Sequence, residues 1–195
     1  DLDLEVLQAD LSRLFPPTDH EPDRQRLAAA IAALRRLAVI SGGPGTGKTT
    51  TVVRLLALLV LQARAAGREL PRIVLLAPTG KAAARLAESI AASKARPADR
   101  GGLDTDDAVR DAIPDQASTI HRALGWRPDR PTRFTHDTNF QLEADVVLVD
   151  EASMVDLALM SKLVDAVPDS ARLILLGDRD QLAREGQHLD AKRCA

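Results

Sequence analysis

A glycine-rich loop between an apolar run and a long apolar segment constrains this sequence more than any other feature. The loop reads Gly42-Gly43-Pro44-Gly45-Thr46-Gly47-Lys48-Thr49; residues 37–40 precede it, and a Val- and Leu-rich segment over 52–61 follows it. In a GxxxxGK[ST] pattern, glycines let successive backbone N–H groups converge on an anion, and the following helix adds the positive end of its dipole. A chance Gly/Pro-rich turn is the alternative. The apolar context favours a strand, a phosphate-binding loop and a helix.

The residues of this loop have distinct predicted roles. The predicted nucleotide-binding set is Gly42, Gly43, Pro44, Gly45, Thr46, Gly47, Lys48, Thr49 and Thr50. Lys48 is expected to reach the β- and γ-phosphates, and the Thr49 hydroxyl to ligate Mg²⁺. ATP and Mg²⁺ are therefore the expected ligands.

Composition excludes several classes of protein. The chain has 195 residues, 45% of them hydrophobic, which fits one α/β domain with a substantial core. A net charge of −2 argues against a globally basic nucleic-acid binder, so contact with a phosphate backbone requires a local patch. The single cysteine and four scattered histidines lack metal-ligand spacing. The longest apolar run, 55–61, is too short to span a bilayer, so we expect a cytoplasmic protein without a membrane partner.

Four apolar runs predict the strands of one sheet. They cover residues 37–40, 73–77, 146–149 and 173–176. None of them alternates with polar residues, which is typical of a mostly parallel sheet covered by helices on both faces. Helical patterns are predicted over 2–15, 23–36, 48–66, 81–93 and 157–164, with shorter helices at 107–112 and up to 124. Polar residues follow each strand at its carboxyl end, where open α/β sheets bind ligands.

Two of these strand ends carry candidate catalytic groups. Asp150 and Glu151 follow the third run, and Asp178 and Gln181 follow the fourth. Asp150 is predicted to hold Mg²⁺ together with Thr49, and a structural salt bridge is the alternative. Glu151 is predicted to orient and deprotonate the water that attacks the γ-phosphate, and a helix-capping carboxylate is the alternative. Gln181 is a candidate γ-phosphate sensor or an ordinary loop residue.

Further polar residues at helix starts suggest an anion track. Thr79, Lys81, Thr119 and His121 follow the second strand run and a short run near residue 118. Arg122 and nearby arginines stand beside Trp126, which suggests a nucleic-acid contact with a stacked base; a solvated basic loop is the alternative. Gln25 lies on the helix before the phosphate loop, where its amide suits the edge of adenine, although exposed polar residues on helices are usually just solvated.

Five segments together carry a family resemblance. SGGPGTGKTT, APTGKAAARL, ASTIHRALG, VLVDEASMVD and LLGDRDQL occur in this order. They resemble motifs I, Ia, Ib, II and III of superfamily 1 helicases of the RecD type, in particular the alpha subunit of bacterial exodeoxyribonuclease V. The resemblance covers roughly residues 23–182. It implies a three-layer P-loop NTPase fold of the RecA-like type over 23–182, the first motor domain of a 5′–3′ DNA helicase.

The resemblance also implies roles for particular residues. Gln25 matches the glutamine that reads adenine, Lys48, Glu151 and Gln181 are catalytic, and Thr79, Lys81, Thr119 and His121 lie along single-stranded DNA. The implied partners are single-stranded DNA and the beta and gamma subunits of exodeoxyribonuclease V. Two rival hypotheses stay open: a stand-alone RecD-like or conjugative helicase, and a module that binds nucleotide or DNA without turnover.

The sequence departs from the family pattern at both ends. Residues 1–22 offer about one helix and a linker where the family has a larger preceding domain, and 183–195 diverge from the family pattern. Motifs IV to VI, with their arginine finger, do not occur in the sequence. Because an arginine finger contributes roughly 10³–10⁵ in rate, we expect this chain alone to bind Mg·ATP and to hydrolyse it slowly.

Overall fold

A computed structural model of the chain describes residues 4–16, 23–43, 47–97, 102–126 and 134–177. The described residues form one five-stranded sheet. Its strands are β1 (Leu37–Ser41), β2 (Ile73–Ala77), β3 (Ser118–Thr119), β4 (Val146–Val149) and β5 (Arg172–Gly177). The four apolar runs therefore became four of the strands, with bounds that differ from the predicted ones by at most one residue.

The strands lie in the order β1-β5-β4-β2-β3, and every pairing is parallel. Leu37 pairs with Leu173, Val146 with Arg172, and Ala77 with Thr119. All carboxyl ends consequently lie at one edge of the sheet. This edge carries the phosphate loop after β1 and Asp150 after β4.

Helices cover the two faces of the sheet. They are α1 (Leu4–Leu14), α2 (Arg24–Leu34), α3 (Lys48–Ala65), α4 (Gly80–Ala95), α5 (Asp107–Ala112), α6 (Ile120–Ala123) and α7 (Leu157–Ala166). The larger core cluster joins α1 to α5 to one face, and the smaller one joins α6 and α7 to the other. This is the three-layer α/β arrangement that the sequence predicted.

Helix α3 is the centre of the larger core. Residues 55–58 and 60 on it are completely buried, because α1, α2, α4 and α5 contact it on several sides. It ends at Ala65, within one residue of the predicted end, and Gly67 with a φ of 63° closes it. A helix packed this tightly fixes the position of its first turn, where the phosphate loop ends.

Two elements are less buried than their patterns suggested. On α2, Leu27, Ile31 and Leu34 share a face, but each is at least half exposed, whereas Ala29, Ala32 and Ala33 are fully buried. The three buried alanines are small, so α2 and α3 can approach each other closely. In β1, the side chains alternate between exposed and buried. The expectation that both faces of every strand are covered is therefore wrong for β1, which lies at an edge of the sheet away from α6 and α7.

The stretch between α4 and β3 contains α5, the short helix that the sequence predicted. Leu103, Val109 and Ile113 in this stretch are buried, so it contributes to the core. Residues 134–141 are loop without a strand, and 127–133 lie outside the described residues. None of the described helices combines the length and hydropathy that a bilayer crossing requires.

Candidate functional site

The start of α3 differs from that of every other α-helix whose N-cap is described. Asp23, Thr79, Asp106, Thr119 and Asp156 each place a side-chain oxygen on the first turn of a helix. The N-cap of α3 is Gly47, which has φ 78° and no side chain to do this. Since an α-helix leaves its first N–H groups without partners in the helix, the first turn of α3 is open to an external anion.

Lys48 lies across the loop that precedes it. Its Nζ donates to the carbonyl oxygen of Gly42 at 2.5 Å, and Gly42 N–H donates to Gly177 at the end of β5. These contacts tie both ends of the loop to the sheet edge. The lysine ammonium is thus held against the first residue of the loop that is predicted to bind the phosphates.

Thr51 is a site-positioning residue that the sequence analysis missed. It is buried, and its hydroxyl and its backbone N–H both donate to the Gly47 carbonyl, at 3.0 and 2.9 Å. The sequence did carry a signal for this residue, because a threonine follows the GK[ST] pattern in the first turn of the predicted helix. Thr49 and Thr50 precede it and are half-buried at the mouth of the loop.

Gln25 lies directly against the phosphate loop. A Cβ placed on Gly47 would come within 2.6 Å of Gln25 Nε2, so the amide occupies the space that a side chain at position 47 would need. Asp23 holds the first turn of α2 in place, because its Oδ1 accepts from the N–H groups of Gln25 and Arg26 at 3.0 and 3.1 Å. Gln25 therefore belongs to the same site as Gly47 and is not simply a solvated surface residue.

Asp150 and Glu151 lie at the end of the most deeply buried strand. All four residues of β4 are buried, and Asp150 N–H donates to the carbonyl of Leu76 in β2 at 2.9 Å. The Oδ1 of Asp150 accepts from Glu151 N–H at 2.9 Å. No contact among the described residues occupies its Oδ2, which leaves an oxygen ligand at the strand end.

Glu151 has a left-handed backbone. Its φ and ψ are 51° and 39°, and it is the one non-glycine residue in the described part of the chain with a positive φ. This conformation costs roughly 1–2 kcal/mol for an L-residue. It turns the chain sharply from β4 into a 3₁₀ turn, Ala152–Met154, whose last N–H donates to the Glu151 carbonyl at 3.0 Å. Strain of this kind is concentrated at functional sites.

Thr79 and Thr119 are helix caps. Thr79 Oγ1 accepts from Ala82 N–H and Thr119 Oγ1 from Arg122 N–H, both at 3.2 Å. The pairing of Ala77 with Thr119 places the two caps at neighbouring strand ends. Each hydroxyl keeps its own O–H as a donor, which a phosphate oxygen can accept.

Lys81 and His121 follow these caps and are exposed. The His121 ring meets Trp126 edge-on, with 6.2 Å between centroids, and lies 6.1 Å from the Phe134 ring. Thr119, His121, Arg122 and Trp126 line a cavity of about 530 Å³. The predicted DNA residues of the third strand end thus share one cavity with the only tryptophan in the sequence.

Some predicted residues lie outside the described part of the chain. They are Pro44, Gly45, Thr46, Asp178 and Gln181, together with the arginines at 127, 130 and 133. Their predicted roles stay predictions.

No cluster of three or more His, Cys, Asp or Glu side chains suited to a metal occurs among the described residues. The Asp150 carboxylate and the Thr49 hydroxyl are nevertheless hard oxygen donors of the kind that Mg²⁺ takes from a protein when phosphates and water supply its other ligands. The donor chemistry therefore fits the predicted ion.

The family model described as AAA domain matches residues 25–187, from Gln25 through the phosphate loop and past Gln181. The chain belongs to the AAA domain family. Its three-layer α/β fold agrees with that membership.

Individual relatives of this AAA domain confirm the resemblance to RecD-type helicases. The chain is 49% identical to the RecBCD enzyme subunit RecD of Mycolicibacterium smegmatis and 44% identical to that of Haemophilus influenzae. Each match covers 89% of this chain, but only 30% and 26% of the relative. The ATP-dependent RecD2 DNA helicase of Deinococcus radiodurans is 40% identical over 75% of this chain and 16% of its own length. The chain thus spans less than a third of each of these relatives.

Proposed function

We propose that this AAA domain is the ATP-binding motor domain of a RecD-type DNA helicase, coupling ATP hydrolysis to 5′–3′ movement along single-stranded DNA. One observation carries the proposal: the uncapped start of α3 lies against the Gln25 amide at the same sheet edge as Asp150 and Glu151. The similarity to RecD and RecD2 proteins supports the choice of helicase among nucleotide-binding proteins.

In this proposal, the residues around Gly47 bind ATP. The N–H groups of the first turn of α3 and the Lys48 ammonium bind the β- and γ-phosphates, and the Gln25 amide reads the adenine edge. Thr49 and Asp150 hold Mg²⁺, which neutralises negative charge on the phosphates when it is bound. Lys48 then exchanges its contact with the Gly42 carbonyl for phosphate oxygens.

Glu151 is proposed to act on the attacking water. Its carboxylate accepts a proton as the water oxygen attacks the γ-phosphorus, and the bond to the β,γ-bridging oxygen breaks. The left-handed backbone at Glu151 supports this role, because backbone strain of this kind is concentrated at functional sites. Gln181 is the proposed sensor of the γ-phosphate.

The DNA track is proposed to run along the neighbouring strand ends. Thr79 and Thr119 donate their hydroxyl protons to backbone phosphates, and the exposed Lys81 and His121 contribute charge and hydrogen bonds. The cavity beside Trp126 accepts a base by stacking. The beta and gamma subunits of exodeoxyribonuclease V are the proposed protein partners, since the RecD relatives are named as RecBCD enzyme subunits.

Substitution of Glu151 tests the catalytic part of the proposal. In the full-length protein, Glu151→Gln is expected to leave Mg·ATP binding unchanged and to lower single-turnover hydrolysis by about 10²–10⁴-fold, the usual contribution of a general base. Asp156→Asn is the matched control, because Asp156 caps α7 without a proposed role in catalysis. Unchanged turnover in Glu151→Gln contradicts the assigned role.

The similarity to a RecD2 helicase favours one alternative, a helicase that works without the beta and gamma subunits. Co-purification of the full-length protein from its own cells separates the two. Recovery of stoichiometric beta and gamma subunits supports the repair complex, and recovery of the protein alone supports the stand-alone helicase.

A further inference from the structure

A larger cavity lies at the opposite edge of the sheet, where the strands begin. Its volume is about 650 Å³, within the range of small-molecule sites, which is about 300–1,000 Å³. Its walls include the residues that enter the strands, among them Arg36 before β1, Arg72 before β2, Asp145 before β4 and Arg172 at the start of β5. It therefore shares no residue with the candidate site at the carboxyl edge.

One of the arginines on the wall has a carboxylate partner. Asp145 Oδ2 accepts from the backbone N–H of Arg72 at 2.8 Å and from Arg72 Nε at 3.1 Å. The bond to Arg72 lowers the pKa of the Asp145 carboxyl, so this carboxylate is committed to that arginine. Glu69 is the other acidic residue on the wall, and its charge also acts on Arg72.

Three further arginines on the wall, Arg36, Arg68 and Arg172, lack such a partner. Within the described part of the chain, none of them forms an ion pair. Arg172 Nη1 donates to the Arg35 carbonyl at 2.9 Å, and Arg36 Nη1 donates to the Asp169 carbonyl at 3.0 Å. A carbonyl oxygen fixes a guanidinium group without neutralising it. Each guanidinium has five N–H donors, so most of them stay available to a ligand.

Two positive charges, those of Arg36 and Arg68, act on the half-buried guanidinium group of Arg172. The pKa of Arg172 is lowered by burial first, and then by the positive charges of Arg68 and Arg36. The fold thus holds Arg36 and Arg68 close enough to Arg172 for their positive charges to repel its guanidinium group. An anion bound among them removes that repulsion.

We propose that this amino-edge arginine cavity binds a phosphate group of a nucleotide-sized or polymeric ligand. A carboxylate carries one charge and is satisfied by a single bidentate arginine, whereas a phosphate presents more oxygens and, as a monoester or pyrophosphate, more than one charge. Three guanidinium groups that line one cavity therefore match phosphate better. Leu59, Leu70 and Val146 on the same wall give an apolar surface for the rest of the ligand.

Free phosphate compounds and a nucleic-acid backbone share this chemistry, and the test must also exclude the phosphate loop. We therefore use the Lys48→Ala chain and follow the arginine Nε–Hε signals by ¹H–¹⁵N NMR during titration with pyrophosphate, a single-stranded oligothymidylate and a glutamate-rich peptide. The signals of Arg68 and Arg172 are expected to shift saturably with a phosphate ligand. A lower saturating concentration for the oligonucleotide assigns the site to a nucleic-acid backbone, and an equal or higher one to a free phosphate compound.

Substitutions at the cavity complete the test. Arg68→Gln leaves every described hydrogen bond of the fold intact and is expected to weaken phosphate binding about tenfold, the effect of one charge-assisted hydrogen bond. Arg85→Gln removes the same charge from the exposed side of α4 and is expected to change nothing. No shift of the two signals, shifts only with the peptide, or an unchanged phosphate affinity in Arg68→Gln, read from the Arg172 signal, would overturn the proposal. Since none of these readouts needs ATP hydrolysis, they fail independently of the proposed motor function.

Discussion

The starts of α3 and α4 look alike in sequence and differ in structure. Each helix has a glycine followed by a lysine at its beginning, Gly47-Lys48 in α3 and Gly80-Lys81 in α4. In α4, the Thr79 hydroxyl already accepts from the first turn, whereas the first turn of α3 has no side-chain cap. The N-terminal dipole of α4 is thus partly satisfied by its own cap, whereas that of α3 is left for a ligand. The difference separates the proposed ATP site from the proposed DNA track.

Replacing each of the two lysines with alanine is expected to show the largest difference between α3 and α4. Lys48→Ala is expected to weaken Mg·ATP binding by about 10–150-fold, because a charge-assisted hydrogen bond is worth about 1.5–3 kcal/mol. Lys81→Ala is expected to leave ATP binding unchanged and to lower the salt slope of single-strand binding by about 0.7. Calorimetry with ATP and fluorescence anisotropy with DNA at several salt concentrations measure both. A loss of ATP binding in Lys81→Ala would contradict the separation of the two helices.

The two glycines give the next largest effect. Gly47→Ala is expected to destabilise the chain by about 1–2 kcal/mol for the left-handed backbone, and further because its Cβ meets Gln25 Nε2. Gly80→Ala is the matched control: nothing lies within 4 Å of its Cβ and its φ is ordinary, so a gain of about 0.4–1 kcal/mol is expected. Urea unfolding of both variants measures the difference. Equal stabilities would contradict the geometry of the loop.

The caps themselves give a smaller effect. Thr79→Ala is expected to destabilise the chain by about 1 kcal/mol, because Ala82 N–H loses its acceptor. Thr79→Ser keeps the hydroxyl and is expected to keep most of that stability and the affinity for single-stranded DNA. If Thr79→Ala retains full DNA affinity despite its lower stability, Thr79 is a cap alone and the track does not include its hydroxyl.

Much of the fold was predictable because its strands are short, continuous and buried. Residues 73–77 and 146–149 became strands with the predicted bounds, since such runs bury both faces of a parallel sheet. The faces of α2 and β1 were not predictable in this way. Which side of α2 contacts α3 depends on how closely the two helices approach, and the fully buried Ala29, Ala32 and Ala33 permit an approach that leucines do not.

The candidate site was predictable where a motif carried it. The phosphate loop, Asp150 and Glu151 followed from residue type and position, but the left-handed backbone of Glu151 leaves no mark in an ordinary glutamate. The position of Gln25 rested on resemblance until the structure placed its amide against Gly47. The arginines of the amino edge come from three separate segments of the chain, so only packing brings them together.

The most direct test of the central claim is where the backbone N–H groups respond to a nucleotide. We would record amide ¹H–¹⁵N spectra of the chain while Mg·ADP is added. We expect the largest shifts at Gly47, Lys48, Thr49 and Thr50 at the open start of α3, with little change over the first turn of α4. Shifts centred on the first turn of α4, or none at α3 in a chain that binds the nucleotide, would contradict it.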